Sequence, residues 1–269
     1  VPITIKDIAT LAKVSQGTVS KVLNNAPGVA VETRKRIQKL IDELEYHPNA
    51  SAQSLASRRT DNIGVIIPHT GVYSMSSAYW PILLTSITEK AAARGLNVVL
   101  STARSEEDVD SAYRSILRGR RVDGLIIGSE QFGRKQLAEL LFKGFPFVMV
   151  GKSPFLNHCY VDVDNAGGSA SATRYLIGLG HRRIVMFAGP EHYPSVVERV
   201  EGYRAAMTAA GLEPTVLHAA YHAETASEKI ARLFEARPLP TALFVAAGDL
   251  VAAALRTASA LGLTIPSDL

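Results

Sequence analysis

Apolar and polar positions along the chain change their period near residue 60, and the two regimes predict two kinds of module. Before that point apolar residues recur at helical spacing: Ile5, Ile8, Ala9, Leu11 and Ala12, then Val19, Val22 and Leu23, then Ile37, Leu40, Ile41 and Leu44. Thr4 with Asp7 three residues on has the form of a capping box, so a first helix starts at Ile5. Ser15 is the N-cap of a second, running from Gln16 to Asn24, and a third spans Val31 to about Leu44. Pro48 stops that helix, and Asn49 caps a short fourth over 49–56. A helix of that length is not stable alone, so it needs a partner.

Beyond the polar linker Arg58-Arg59-Thr60-Asp61-Asn62, short apolar runs alternate with helical stretches. The runs are Ile63–Ile67, Leu96–Leu100, Val122–Ile127, Phe145–Val150, Tyr160–Val163, Arg183–Ala188 and Thr241–Val245. Stretches such as Ile82–Arg94, Ala166–Leu179 and Val196–Ala210 separate them, each closed by a glycine, Gly95, Gly180 or Gly211. Continuous apolar strands with crossover helices predict parallel sheets covered on both faces. Two such sheets, split near Asn157, make a two-lobed body with a cleft.

Composition narrows the classes. The 269 residues are 47% hydrophobic and 20% charged, ordinary for a globular chain, which excludes disorder and coiled coil. Residues 1 to 60 carry a basic excess equal to the whole formal charge of +4, so the remainder is neutral. That asymmetry suits a basic module for a polyanion on a neutral body, against the competing reading of chance scatter. A single cysteine, Cys159, leaves no internal disulfide and no CxxC site, which fits a reducing cytoplasm. No apolar run approaches a membrane span, and Lys6, Asp7 and Lys13 stand where a signal peptide would be apolar. No nucleophile elbow, phosphate loop, dinucleotide fingerprint or zinc pair occurs, and the histidines are dispersed, so the reading is not an enzyme and needs neither metal nor cofactor.

The first two helices, joined by a tight turn, have the helix-turn-helix plan, whose second helix enters the major groove. Gln16 suits adenine and Lys21 guanine, while Ser15, Thr18, Ser20 and Asn24 can reach phosphate oxygens at a helix N-terminus that already favours anions. A plain helical hairpin with a polar outer face is the competing reading.

In the blocks Thr4-Ile5-Lys6-Asp7-Ile8-Ala9, Val14-Ser15-x-x-Thr18-Val19-Ser20-Lys21-Val22-Leu23-Asn24, Glu32-Thr33-Arg34 and Tyr46-x-Pro48-Asn49-Ala50-x-Ala52-x-Ser54-Leu55, the chain resembles the lactose repressor/galactose repressor family of bacterial transcription regulators. The resemblance continues through Arg121–Ile127, Val161-Asp162-x-Asp164-Asn165, Leu179–Ile184, Glu198–Arg204 and Pro240–Phe244, and so covers essentially the whole length. It implies an N-terminal all-α helix-turn-helix domain (1–47), a hinge helix and linker (48–60), and a periplasmic-binding-protein-like α/β body of two parallel-sheet lobes (61–157 and 158–269). It also implies that Thr4, Ser15, Gln16, Gly17, Thr18, Ser20, Lys21, Asn24, Thr33, Arg34, Asn49, Gln53 and Leu55 meet DNA. Leu55 would wedge into a base step from the minor groove, a device that kinks the duplex; a packed linker leucine is the alternative. Three departures stand out: Ala30 in place of a capping serine, Gly17 without a side chain at a base-reading position, and Lys21 in place of arginine, whose planar fork lysine lacks.

For the body the resemblance implies an effector bound between the lobes, at the carboxyl ends of the strands. Arg199 and Asp249 match residues that hydrogen-bond it, Tyr79 and Trp80 match an aromatic pair, and Lys152 ends an apolar strand as a further candidate. Such groups suit a sugar or sugar derivative, although Arg199 and Asp249 can equally bridge to neighbours and Tyr79 or Trp80 can be core. The stretch His69–Ala78, with Ser77-Ala78, and Gly248 before Asp249 depart from the family pattern. The expected partners are a near-palindromic double-stranded operator, a small effector and a second copy of the chain, with no membrane, in the bacterial cytoplasm at the nucleoid. The C-terminal lobe is expected to be incomplete, because the family runs further and this sequence stops at Leu269. A solute-binding protein without a regulatory role is the alternative.

Overall fold

The computed structural model describes residues 3–46, 59–67, 79–102, 111, 113–116, 119, 121–128, 132–153, 155, 157–221 and 223–269. The expected hinge helix, with Asn49, Gln53 and Leu55, and the whole His69–Ala78 stretch lie outside these residues. The chain divides into two units, Val1–Thr60 and Asp61–Leu269.

The first unit is three helices: α1 (Ile5–Leu11), α2 (Gln16–Leu23) and α3 (Val31–Glu43). Thr4 Oγ1 accepts from the Asp7 amide while the Asp7 carboxylate accepts from the Thr4 amide, so the capping box is formed. Ser15 Oγ caps α2 by accepting from the Thr18 amide. Ala30 precedes α3 without a side-chain cap, which costs about 1 kcal/mol relative to serine. The apolar stripes close on one another: Ile8, Ala9, Ala12, Val19, Val22, Ile37 and Ile41 are all buried. The turn between α1 and α2 is made without glycine, Lys13 taking the left-handed conformation at φ 52°.

The second unit holds two parallel sheets. The first is built from β1 (Asn62–Ile67), β2 (Asn97–Thr102), β3 (Gly124–Ile127), β4 (Phe147–Val150) and β5 (Tyr160–Val161) in the order β2-β1-β3-β4-β5, accompanied by α4 (Tyr79–Ala92) and α5 (Arg134–Phe142). Successive residues of β1 feed opposite faces. Ile66 packs with Leu125, Ile127, Leu137 and Leu140, whereas Val65 and Ile67 pack with Trp80.

The second sheet follows α6 (Asn165–Gly178) and takes the order β7-β6-β8, from β6 (Ile184–Ala188), β7 (Thr215–His218) and β8 (Ala242–Val245). Its other helices are α7 (Pro194–Ala209), α8 (Ala223–Glu235) and α9 (Gly248–Ala260). Ile184, Met186 and Ala188 face α7 through Val200, Tyr203 and Met207, while Phe187 faces Ile230, Phe234 and Leu250 of α8 and α9. Among the described residues no helix is long and apolar enough to cross a membrane.

Two sequence expectations need correction here. β7 is missing from the predicted runs, because Thr215–His218 is a short edge strand with polar ends and only partial burial. The run Tyr160–Val163 forms strand only at Tyr160–Val161, which is exposed and pairs with β4, so the first sheet reaches past the split expected near Asn157. The crossover between the sheets is therefore Asp162–Asp164.

Candidate functional site

In the first unit, the residues expected to meet nucleic acid gather on α2 and its approaches. Its apolar side is spent on the core, so the rest of its circumference faces outward: Gln16, Gly17 and Lys21 are exposed, and Thr18, Ser20 and Asn24 are half-exposed or exposed. Ser15 Oγ and Thr18 Oγ1 lie 2.9 Å apart, and Asn24 Nδ2 donates to Ser20 Oγ at 3.4 Å, so these hydroxyls are held along one helix. A shallow depression lined by Lys6, Thr10, Lys13, Ser15 and Gln16 runs beside the α2 N-terminus, placing two ammonium groups next to the helix end that favours anions. Arg34 is already engaged, donating to Asn25 Oδ1 at 3.2 Å and to the Ala26 carbonyl, which pins the α2–α3 loop. Thr33 is half-buried on α3, and Thr4 is occupied in its capping box. Asp7 is held below the usual carboxylate range, chiefly by its side-chain hydrogen bond with Thr4.

In the second unit, strand order alone marks where a ligand would bind. An open parallel sheet has its crevice where successive connections turn to opposite sides. In the first sheet that point lies between β1 and β3, where the Gly128 amide donates to the Ile66 carbonyl at 2.7 Å. Trp80 packs over Gly128 so closely that an added Cβ there would fall 2.2 Å from its ring. Trp80 is accordingly a core residue, 8% exposed, while Tyr79, 56% exposed and edge-on to it, keeps an open face.

In the second sheet the switch point lies between β6 and β8, and Arg199 reaches it. Arg199 sits on α7; its Nη1 donates to the Ala246 carbonyl just past β8, and its Nε to Asn165 Oδ1, each at 2.8 Å. Ser169 of α6 donates to the Arg199 carbonyl at 2.6 Å, tying the two helices at that level. Asn165, 4% exposed, turns its Nδ2 toward Asp162 Oδ1, the Val163 carbonyl and Glu198 Oε2 at 3.2–3.3 Å. The other Glu198 oxygen accepts from Lys152 Nζ at 2.9 Å, and Lys152 also lies 5.8 Å from the Tyr160 ring centre. The Glu198 hydrogen bond raises the Lys152 pKa, against a smaller opposing effect of burial.

Of the residues singled out from sequence for the body, Arg199 and Lys152 thus join one network, Tyr79 and Trp80 lie on the first lobe, and Asp249 is the second residue of α9, its side chain outside the described ones. Sequence reasoning quoted Asn165 and Glu198 within matching blocks but gave them no part in the site. It passed over Tyr193 and Tyr221 altogether, whose rings lie 5.8 Å apart beyond β6 and β7. Tyr221 overlies Gly189 closely enough that a Cβ there would meet its hydroxyl at 2.3 Å, so a larger residue would have to displace that ring. Together these groups offer charged donors, carboxylate acceptors and flat aromatic faces, the set that suits a polyhydroxyl ligand. Among the described residues no group of three His, Cys, Asp or Glu stands close enough to hold a metal ion.

Comparison with known proteins agrees over both units. Residues 4–49 match the family model of bacterial regulatory proteins of the lacI family, and residues 60–269 match that of periplasmic binding proteins and the sugar binding domain of the LacI family. The HTH-type transcriptional regulator CelR of Thermobifida fusca is 34% identical over 98% of this chain and 79% of its own length. Among solved structures, the lac repressor dimer bound to operator and the anti-inducer ONPF superposes with a TM-score of 0.86 at 27% identity, over 100% of this chain and 81% of that one. The complex of CelR with cellobiose superposes at 0.69 with 32% identity, over 99% of this chain and 80% of that one.

Proposed function

Because the chain belongs to the lacI family of bacterial regulatory proteins, DNA-binding transcription regulators with an effector-binding domain and not enzymes, we propose that it is a repressor working as a homodimer on a near-palindromic operator in the cytoplasm. A dimer presents two copies of α2 to half-sites about one helical turn apart. The observation that carries the reading is the outer face of α2: a capped N-terminus with Gln16, Gly17 and Lys21 exposed beside Lys6 and Lys13. Gln16 and Lys21 read base edges, while Ser15, Thr18, Ser20, Asn24, Thr33 and Arg34 set register against phosphates. With no side chain at Gly17, part of the choice passes to DNA shape. Asn49, Gln53 and Leu55 form the hinge element, with Leu55 as the minor-groove wedge.

The effector is a sugar or sugar derivative held between the lobes by Arg199, Asp249, Lys152 and the open face of Tyr79. Arg199 supports this, since its Nε and Nη1 donate to neutral oxygens, the Asn165 amide and the Ala246 carbonyl past β8. Ligand acts by favouring one lobe arrangement over another, a coupling free energy between this site and the hinge.

The test is selection from a random pool of short duplexes by the full chain at moderate salt, followed by sequencing. A palindrome with a fixed central step is expected, and Leu55→Ala should bind it more weakly and bend it less. Unselective binding with a steep salt dependence would remove the operator reading and leave phosphate contact alone. A panel of mono- and disaccharides, cellobiose included, is then screened for effect on operator binding. Loss of that effect in Arg199→Ala and Asp249→Asn is expected, and an intact response in either removes that residue from the site.

A further inference from the structure

The network around Asn165 has a polarity that its separate contacts do not require. One amide serves two clients of opposite charge: its oxygen faces the Arg199 guanidinium, and its nitrogen faces Asp162 and Glu198. The first client is the cation at the β6/β8 switch point. The second leads out of the lobe altogether, because Glu198 on α7 grips Lys152, which follows β4 of the other sheet. Asn165 also holds the crossover itself through Asp162 Oδ1 and the Val163 carbonyl. Its burial keeps bulk water from the amide, so its oxygen depends on Arg199 and its nitrogen on the three acceptors around it.

We propose that Asn165 is a positioning residue that ties the Arg199 guanidinium to an inter-lobe clamp, the Lys152–Glu198 ion pair, so that engagement of Arg199 is read as a change in how firmly the two sheets are held. The effector role of Arg199 rests on the function proposed above; the clamp does not, since it is the contact of Lys152 with Glu198. Asparagine meets both demands because its amide carries an acceptor and a donor together. Aspartate would keep the contact to Arg199 and repel Asp162 and Glu198, whereas leucine would abandon both.

Hydrogen exchange of the full chain without ligand tests the proposal, read at Gly151, Val163 and Asn165, whose amides donate to the Val161 carbonyl, Asp162 Oδ1 and the Val163 carbonyl. Lys152→Met and Glu198→Gln should each speed exchange there by about threefold, the scale of a part-exposed ion pair. The double variant should exchange no faster than Glu198→Gln alone, because the ion pair that Lys152→Met breaks is already lost there. Asn165→Asp should speed exchange similarly, and adding Glu198→Gln to it should slow exchange again by relieving the repulsion. Amides of β6 serve as the control and should stay at the wild-type rate. A multiplicative double variant at about ninefold overturns the clamp. So does wild-type exchange in the single variants, or acceleration that extends equally to β6. Should Arg199 prove indifferent to every sugar, that failure would appear in the operator screen and leave these exchange rates as they are.

Discussion

Gly202 sits one turn beyond Glu198 and Arg199 on α7, where the helix crosses α6 with almost no space between backbones. A Cβ at this position would lie 2.1 Å from the Ala166 carbonyl oxygen and under 3 Å from that residue's carbonyl carbon and Cα. Every one of these obstacles is main chain, so no side chain can swing away. Gly202→Ala therefore forces α6 and α7 apart by more than an ångström. Overpacking of this kind costs about 1–3 kcal/mol, and an obstacle made of backbone puts it at the upper end. Against that, alanine in a helix interior is favoured over glycine by about 1 kcal/mol. The net expectation is a loss of about 1–2 kcal/mol, or roughly 3–6 °C in Tm for a unit of this size. Because Ala166 follows Asn165, the separation also stretches the Asn165–Arg199 hydrogen bond, so effector response should fall with stability. Gly168→Ala is the matched comparison: the same helix pair, an exposed site, and nothing within 4 Å of the added carbon, so propensity alone acts and stability should rise by up to about 1 kcal/mol. Urea unfolding followed by far-UV circular dichroism measures both. If Gly202→Ala matches or exceeds the wild type, the close approach of the two helices is not a constraint and the argument fails.

Ser15→Ala removes the only side-chain cap of α2 and should cost about 1 kcal/mol in the first unit, with weaker operator binding; thermal unfolding of the full chain should show it, and an unshifted first transition would count against the cap. Lys13→Gly releases a left-handed lysine and should hold or slightly raise stability, yet remove a cation beside the α2 N-terminus, so a salt titration of DNA binding should lose about one unit of slope. Asp7 has a folded pKa below its ordinary 3.8, so its contribution is complete above that value and disappears as pH falls through the lower folded value. An NMR titration of the Asp7 carboxyl should have a midpoint below 3.8, and Thr4→Ala should raise it part of the way back, since the backbone amide of residue 4 still donates to the carboxylate; a wild-type midpoint at or above 3.8 refutes the capping geometry.

Much of the fold is legible because local signals and burial agree. Thr4 with Asp7 and Ser15 before Gln16 are short-range chemistry, fixed within one helical turn, and the structure forms both. The apolar runs that became β1, β3, β4 and β6 sit in sheet interiors or next to them, where burial demands continuous hydrophobicity. β7 lacked that signal for the opposite reason: an edge strand needs one apolar face, and Thr215–His218 reads as a polar-ended loop. β5 shows a different limit. Tyr160 and Val161 are apolar and exposed, and their assignment to the first sheet comes from pairing with Met149 and Val150, a long-range register that no local pattern encodes.

The candidate site divides along the same line. An exposed helix face can be read from the sequence once the buried face is known, because what is not core must point outward; Gln16, Gly17 and Lys21 follow from Val19 and Val22. The lobe junction cannot be read that way. Trp80 illustrates the difficulty: an aromatic that lines a cleft and one that fills a core have the same sequence signature, and only the packing over Gly128 separates them. Asn165 is the sharper case. A buried asparagine at the start of a helix resembles an ordinary helix-terminal residue, and Asp164 before it is in fact the N-cap, accepting from the Gly167 amide. What gives Asn165 its weight is that Arg199 and Glu198 of α7, distant along the chain, meet its amide beside the local Asp162, through the α6–α7 contact that Gly202 permits. The chemistry of the junction thus depends on a residue with no side chain, and the pattern of hydrophobic and polar positions has no means of recording that.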